Sequence, residues 1–340
     1  MDQWAVFDEI KAGTLRRVYA FYGPEAYIRK SAIDALKRRA LAPGLEELNL
    51  TVLSSPSAQQ IVESCETMPM MSDYRVVIVR ECGLIAAGKA KDEAQDSQIL
   101  CDYLDRVPET TCLVFDAGAG FDKRKKLSQA LVKLPGAVAF EALDDARLTR
   151  WMNQTLRPLG KRMDKDACDA LAFLSGRDLT SLARELEKLA AYVQDRQDIT
   201  TADVEAIATR TAECTVFSMV DALCEGRAQE AFRLLNVLLQ GGEARIGVLA
   251  MITRQYRQLM YLSELRARRA SQAEMAKQLG VPPFALTRLG RQVGKRGFDQ
   301  LRECLALCVQ ADYDIKRGAL REDAALERLM LALLDRKSVV

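Results

Sequence analysis

The chain has 340 residues, enough for about two or three domains of ordinary size. Just under half is apolar, and the 28% that is charged nearly cancels to a formal +2, which argues against a strongly basic nucleic-acid coat and against an acidic tail. Histidine is absent altogether, which removes Ser-His and Cys-His nucleophile pairs and most catalytic zinc sites.

Short β-branched or aromatic runs predict strands at 18–22, 48–53, 76–79, 112–115 and 137–140. Segments with helical spacing lie between them, including 26–40, 57–67, 99–106 and 123–133. Continuous apolar strands separated by helices predict a parallel sheet covered on both faces. Asp122, just after Gly118-Ala119-Gly120, stands where a helix N-cap belongs. The glycines, small residues and charges of 83–95 predict a solvent-exposed connection.

From about 145 the strand signal stops. Leu179, Leu182, Leu186, Leu189 and Val193 form one apolar stripe at helical spacing, with Asp178 placed to cap it. Thr200 and Asp203 have the spacing of a capping box, with Asp in place of the usual Glu or Gln. This predicts a small helical domain ending near Arg210. Everything from Val216 to Leu334 reads as helix, punctuated by Gly226, Gly241-Gly242, Gly280 and Gly318 and broken at Pro282-Pro283, the pattern of a helical bundle.

Nine cysteines are scattered without a C-x-x-C pair, and read as small buried hydrophobes rather than a disulfide framework or metal site. The start, Met1-Asp2-Gln3-Trp4, has no apolar run behind a basic stretch, and no segment approaches ~20 apolar residues, so neither a signal peptide nor a membrane span is expected.

A parallel sheet followed by a small helical domain is the order of an AAA+ ATPase module, which holds nucleotide on a glycine-rich loop after the first strand. The equivalent turn here is Gly23-Pro24-Glu25-Ala26-Tyr27-Ile28-Arg29-Lys30, and it fails G-x-x-x-x-G-K-[ST]. Ile28 replaces the second glycine, Arg29 takes the lysine's place, Glu25 would face phosphate with like charge, and the Lys30-Ser31 pair falls one residue late. The strand that should carry the magnesium-holding acids ends Phe115-Asp116-Ala117, with one acid only, which reads as a strand-end cap. No nucleotide cofactor is expected.

The turn at Gly23 and Glu25, the run Asp122-Lys123-Arg124-Lys125-Lys126-Leu127, Gly176-x-Asp178-Leu179, Glu185-Leu186-Glu187-Lys188-Leu189, Ile199-Thr200 with Asp203-Val204, Asp312-x-x-x-Lys316-x-Gly318 and Leu326-Glu327-Arg328-Leu329 follow one another in an order that resembles the delta subunits of bacterial DNA polymerase III clamp loaders. The resemblance implies an AAA+-like α/β domain without a working phosphate loop (1–143), a small helical lid-type domain (144–212) and a helical collar domain (213–340). It further implies a cytoplasmic replication subunit with no catalysis of its own, any polymerase activity being that of the holoenzyme. Such a subunit binds the beta sliding clamp, favours its open form for loading on primed DNA, and shares a collar with the gamma/tau and delta-prime subunits.

In that family two hydrophobic residues before the third strand enter a pocket of the clamp, and Met70 and Met71 match those positions within Thr67-Met68-Pro69-Met70-Met71. Met-Met departs mildly from the larger pairs expected there, but methionine suits a surface that adapts to a partner. Composition alone favours the other reading, in which both close the core at the sheet's edge, and the match of position with the family reverses it. Residues 264–298 hold eight Lys/Arg against two Glu, with clusters at Arg266, Arg268 and Arg269 and at Arg288, Arg291, Lys295 and Arg296. These are candidate DNA or partner contacts, or a solvated helix face. Segment 272–281 followed by 284–293 has the outline of a helix-turn-helix, so a DNA-binding regulator is the alternative from another class, beside an AAA+ ATPase with a degenerate site. The family shows a similar A-x-x-L-G-x-P-x-F pattern, matched at Ala276 to Phe284, which favours a structural role.

Overall fold

The computed structural model describes residues 2–86, 93–281 and 283–335, with Glu93, Pro283 and Phe284 described through their backbone alone. Two compact units divide it, one up to Asp144 and one from Asp145.

The first unit is built on a parallel sheet of β1 (Val18–Tyr22), β2 (Leu50–Ser54), β3 (Arg75–Arg80), β4 (Thr111–Asp116) and β5 (Ala137–Ala139), in the order β2-β3-β4-β1-β5. Its helices are α1 (Ala5–Ala12), α2 (Ala26–Ala40), α3 (Glu46–Asn49), α4 (Ala58–Glu66), α5 (Glu93–Tyr103) and α6 (Lys126–Val132). Strand side chains alternate between faces. On one face Ala20, Val77, Val79, Leu113 and Phe115 pack with Ile61 of α4, Leu100 of α5 and Leu127 and Leu131 of α6. Tyr19, Phe21, Ile78 and Val114 are buried on the other, as are Ile28, Ile33 and Leu36 of α2. Burial on both faces is why the central strands read as unbroken apolar runs.

Four expectations change here. The second strand begins at Leu50, because Leu48 and Asn49 close the short helix α3. Helix α6 begins at Lys126 with Lys125 as N-cap, three residues after the predicted cap. Asp122 is instead taken by Arg124, whose backbone N–H and guanidinium donate to it at 3.1, 2.9 and 2.8 Å and hold its carboxyl down to about 2. Lys125 is buried and donates to Gly83 O, so of the run 123–126 only Lys126 lies within the helix. The predicted exposed connection 83–95 opens with buried Leu84 and Ile85 and closes inside α5, while its residues 87–92 lie outside the described residues.

The second unit is mostly helical: α7 (Asp145–Leu156), α8 (Lys165–Ser175), α9 (Leu179–Tyr192), α10 (Thr201–Ile207), α11 (Ala212–Glu225), α12 (Ala228–Gln240), α13 (Arg245–Ala267), α14 (Gln272–Leu279), α15 (Pro283–Val293), α16 (Phe298–Lys316) and α17 (Glu322–Asp335). The α9 stripe is buried as its spacing predicts, and the Asp178 carboxylate accepts Ser181 N–H at 2.8 Å. Strands do not stop completely. β6 (Arg162–Met163) and β7 (Asp198–Ile199) form a short parallel pair, two residues each, too brief for an alternating pattern. From α11 onward the apolar faces converge on one core that includes Leu223, Leu235, Ile252, Tyr256, Cys304 and Met330. Among the described residues no helix is long and apolar enough to cross a membrane.

Gly23 ends β1 at a φ of +120°, and a Cβ there would lie 2.2 Å from Phe140 O. Gly23→Ala therefore destabilises the first unit by about 2–3 kcal/mol, through a backbone clash and a disfavoured φ, read from chemical denaturation. The Thr200–Asp203 capping box supplies a pH test. The Arg196 guanidinium and then the Thr200 N–H hold the Asp203 carboxyl well below the usual carboxylate range. A depressed carboxyl contributes in full above its unfolded value of about 4 and loses that contribution as pH falls through the folded value. Asp203→Asn should lower stability near neutral pH and flatten the acid side of the stability–pH curve.

Candidate functional site

The turn after β1 is closed by the protein's own charges. Arg29, one turn into α2, donates Nε to Asp116 Oδ1 at 2.7 Å and Nη1 to Gly23 O at 2.6 Å. Asp116 ends β4, the neighbour of β1, and also accepts Gly118 N–H at 3.4 Å, so it caps the strand end and anchors Arg29 together. Arg80 Nε lies 3.7 Å from its second oxygen. Both members of the Arg29–Asp116 pair are largely buried. The cation in the lysine's place is thus spent on a carboxylate and a carbonyl rather than directed toward an incoming phosphate. The sequence marks Arg29 and Asp116 separately, but their meeting depends on β1 lying beside β4, a topology that local pattern does not encode.

The segment between α4 and β3 is different in kind. Helix α4 ends at Glu66, short of Pro69, and the following methionines stand in solvent: Met68 is 78% exposed, Met70 56% and Met71 87%. The core-closing reading of Met70 and Met71 does not hold. Leu48, in α3, and Val52, on the edge strand β2, are about half exposed. Met71 adopts a left-handed backbone at φ +53°, uncommon for a residue other than glycine.

Beneath the methionines lies Asn49, fully buried. Its side-chain amide donates to Met70 O at 2.9 Å and to Leu45 O at 3.2 Å, and its Oδ1 accepts Met70 N–H at 2.7 Å. Arg75, which opens β3, donates to Ser64 O at 3.0 Å, Leu48 O at 3.2 Å and Thr51 Oγ1 at 2.8 Å, tying α4, α3 and β2 together. Asn49 is missing from the residues picked out by sequence. Its signal was an asparagine inside an otherwise apolar run, a residue depleted from strands.

The basic segment does not form one surface. Arg296 is 5% exposed, and its guanidinium donates to Leu223 O at 3.0 Å, Leu333 O at 2.7 Å and the Cys304 sulfur, so it is an internal tie and not a candidate contact. Lys295 binds Asp221 at 2.9 Å and also Glu225. Arg268 pairs with Glu264 one turn back. Arg266 lies against Gly290, donating to its carbonyl at 3.2 Å, and Arg288 sits 4.1 Å over the Phe173 ring. Arg269 and Arg291 are exposed. In the helix-turn-helix outline, Met275, Ala276, Leu279 and Val281 pack against the bundle core, and Gly280 ends α14 at φ +63°. Pro282 lies outside the described residues. All the cysteines but Cys101 are buried, and burial pushes the Cys65 and Cys112 thiols up to about 12, which leaves neither poised as a nucleophile.

A parallel α/β unit with an arginine–carboxylate pair at the turn after its first strand and an exposed methionine loop is thus followed along the chain by a mostly helical unit. Comparison with known proteins names the class to which such a chain belongs. Residues 19–142 match the family described as DNA polymerase III, delta subunit, and 213–333 match the DNA polymerase III delta subunit, C-terminal domain. The DNA polymerase III subunit delta of Bacillus subtilis (strain 168) is 25% identical over 335 residues, covering 97% of this chain and 96% of that one. Its counterpart from Escherichia coli (strain K12) is 23% identical over 313 residues, covering 89% and 87%. The solved Bacillus subtilis DNA clamp loader delta protein shares the fold at a TM-score of 0.63 and 24% identity, covering 98% of this chain and 99% of its own. The chain belongs to the DNA polymerase III delta subunit family.

Removing Arg296 takes its donor from the buried Leu333 O and leaves Leu223 O with the Gly226 N–H alone, at 3.2 Å. Arg296→Met is expected to lower stability by about 1–3 kcal/mol, whereas Arg291→Ala on the surface stays within about 0.5 kcal/mol, both measured by denaturant unfolding.

Proposed function

We propose that this chain is the clamp-opening subunit of its loader: it binds the beta sliding clamp through Met70 and Met71 and favours the clamp's open form for loading on primed DNA. The observation that carries the reading is the exposure of both side chains at the positions the family resemblance selects. Buried in a partner's pocket, two methionines would contribute ~3–6 kcal/mol of desolvation before the costs of ordering are subtracted. Such energy opens a ring only if it is larger for the open conformation than for the closed one, so the role is one of differential binding. The sealed turn at Arg29 supports dependence on partner subunits for ATP. Gamma/tau and delta-prime are the partners proposed for the helical unit, whose division into a lid-type part (144–212) and a collar part (213–340) belongs to the same reading. Arg266, Arg268, Arg269, Arg288, Arg291 and Lys295 remain the candidate contacts to DNA or partner within it.

The test is equilibrium binding of the purified chain to its host's sliding clamp. Met70→Ala combined with Met71→Ala should weaken binding by about 3 kcal/mol or more while leaving the thermal midpoint unchanged. Undiminished binding by that variant would move the site elsewhere, and a wild-type chain that does not bind an intact clamp would overturn the function.

A further inference from the structure

We infer that Asn49 is a positioning residue for the methionine wedge, holding Met70 and Met71 out of the surface in the arrangement that enters the clamp; the inference rests on the clamp-binding reading above. A short loop carrying three apolar side chains has an easy alternative in water, which is to fold them down onto apolar surface such as the half-exposed Leu48, next in the chain to Asn49. The structure shows the opposite, and the polar groups around Asn49 explain how. Its side-chain amide bonds both the N–H and the C=O of Met70, at 2.7 and 2.9 Å. That is the double exchange found between paired residues of antiparallel strands, made here by one side chain. Two bonds to one peptide unit on each side fix the orientation of Met70 rather than its distance alone.

The neighbours complete the restraint. Pro69 has a fixed φ before Met70, and Met71 turns the chain through the left-handed region after it. Asn49 itself is held in place, because it is fully buried and its third bond runs to Leu45 O at the N-cap of α3. Arg75 fixes the carbonyl of Leu48 next door. The backbone of the wedge is therefore preset while its long side chains remain free to adapt. Presetting lowers the ordering cost of binding, and a loop that is competent only part of the time has its apparent affinity reduced by that fraction.

The experiment uses the full chain and the host's sliding clamp in a double-mutant cycle: wild type, Asn49→Ala, Met70→Ala plus Met71→Ala, and all three changes together. Amide exchange at Met70 is followed by NMR in parallel. Asn49→Ala should speed Met70 exchange while β3 and β4 amides keep their protection, and should weaken clamp binding about tenfold. In the methionine-free background the same change should cost nothing further, since a positioning residue has no effect once what it positions is gone. Equal losses in both backgrounds, or faster Met70 exchange with unchanged affinity, would overturn the inference and leave the clamp reading intact. Unchanged binding by the methionine variant fails both, and the exchange result shows that this failure lies in the clamp reading. If Asn49→Ala does not fold, Asn49→Asp keeps the acceptor for Met70 N–H and loses the donor to Met70 O. It should bind several-fold more weakly than wild type, and wild-type affinity would count against the inference.

Discussion

The ion pair between Arg29 and Asp116 sits where the end of β1, the end of β4 and the first turn of α2 come together. In a sheet of this topology, that crevice beyond the carboxyl ends of the strands is where a ligand would bind. A guanidinium in the same place, bonded to a carboxylate and to the Gly23 carbonyl, meets the positive end of α2 with a charge that needs its own neutralisation. Asp116 provides it, and Gly118 N–H takes part of what remains of the carboxylate's bonding capacity. A pair this far from water is costly to assemble and costlier to break by removing one partner. Arg29 and Asp116 thus tie β1, β4 and α2 together with the protein's own charges, on the wall of a small cavity.

The other end of the sheet follows the reverse logic. The edge strand β2 and the loop before β3 keep apolar side chains in solvent, and the polar groups have gone beneath them. Asn49 gives both amide donors to the carbonyls of Leu45 and Met70, and Arg75 gives donors to the carbonyls of Ser64 and Leu48 and to Thr51 Oγ1. Buried amides and guanidinium groups are tolerated only when satisfied, so these two residues allow one backbone arrangement and reject others. Methionine on such a base combines a fixed root with a flexible tip.

Much of this was legible in the sequence for plain reasons. The central strands are buried on both faces, so Val76-Val77-Ile78-Val79 and Cys112-Leu113-Val114-Phe115 could hardly be mistaken. The caps at Asp178 and Thr200 need only neighbours three residues away, and both formed as spacing predicts. Met70 and Met71 were identified by resemblance, since composition treats a methionine as core. What local pattern does not show depends mostly on contacts between distant segments. Asp122 has the position of a cap, but Lys125 is drawn inward to Gly83, 42 residues back, and Arg124 takes the Asp122 carboxylate. Arg296 looked like one more surface cation in a basic run, yet its partners lie 73 and 37 residues away. Asn49 was read as part of a strand because its partner, Met70, is 21 residues on.

Arg296 has one more effect, on the cooperativity of the bundle. It joins the last turn of α11, through Leu223 O, to the last turn of α17, through Leu333 O. Single helices of a bundle can open separately, at free energies well below that of global unfolding. Here α17 cannot unwind at that end without leaving a charge in the core short of an acceptor, while α11 loses the shared anchor at the same moment. Opening of α17 is thereby tied to opening of the bundle, so the two should share one unfolding free energy instead of forming a gradient along the chain.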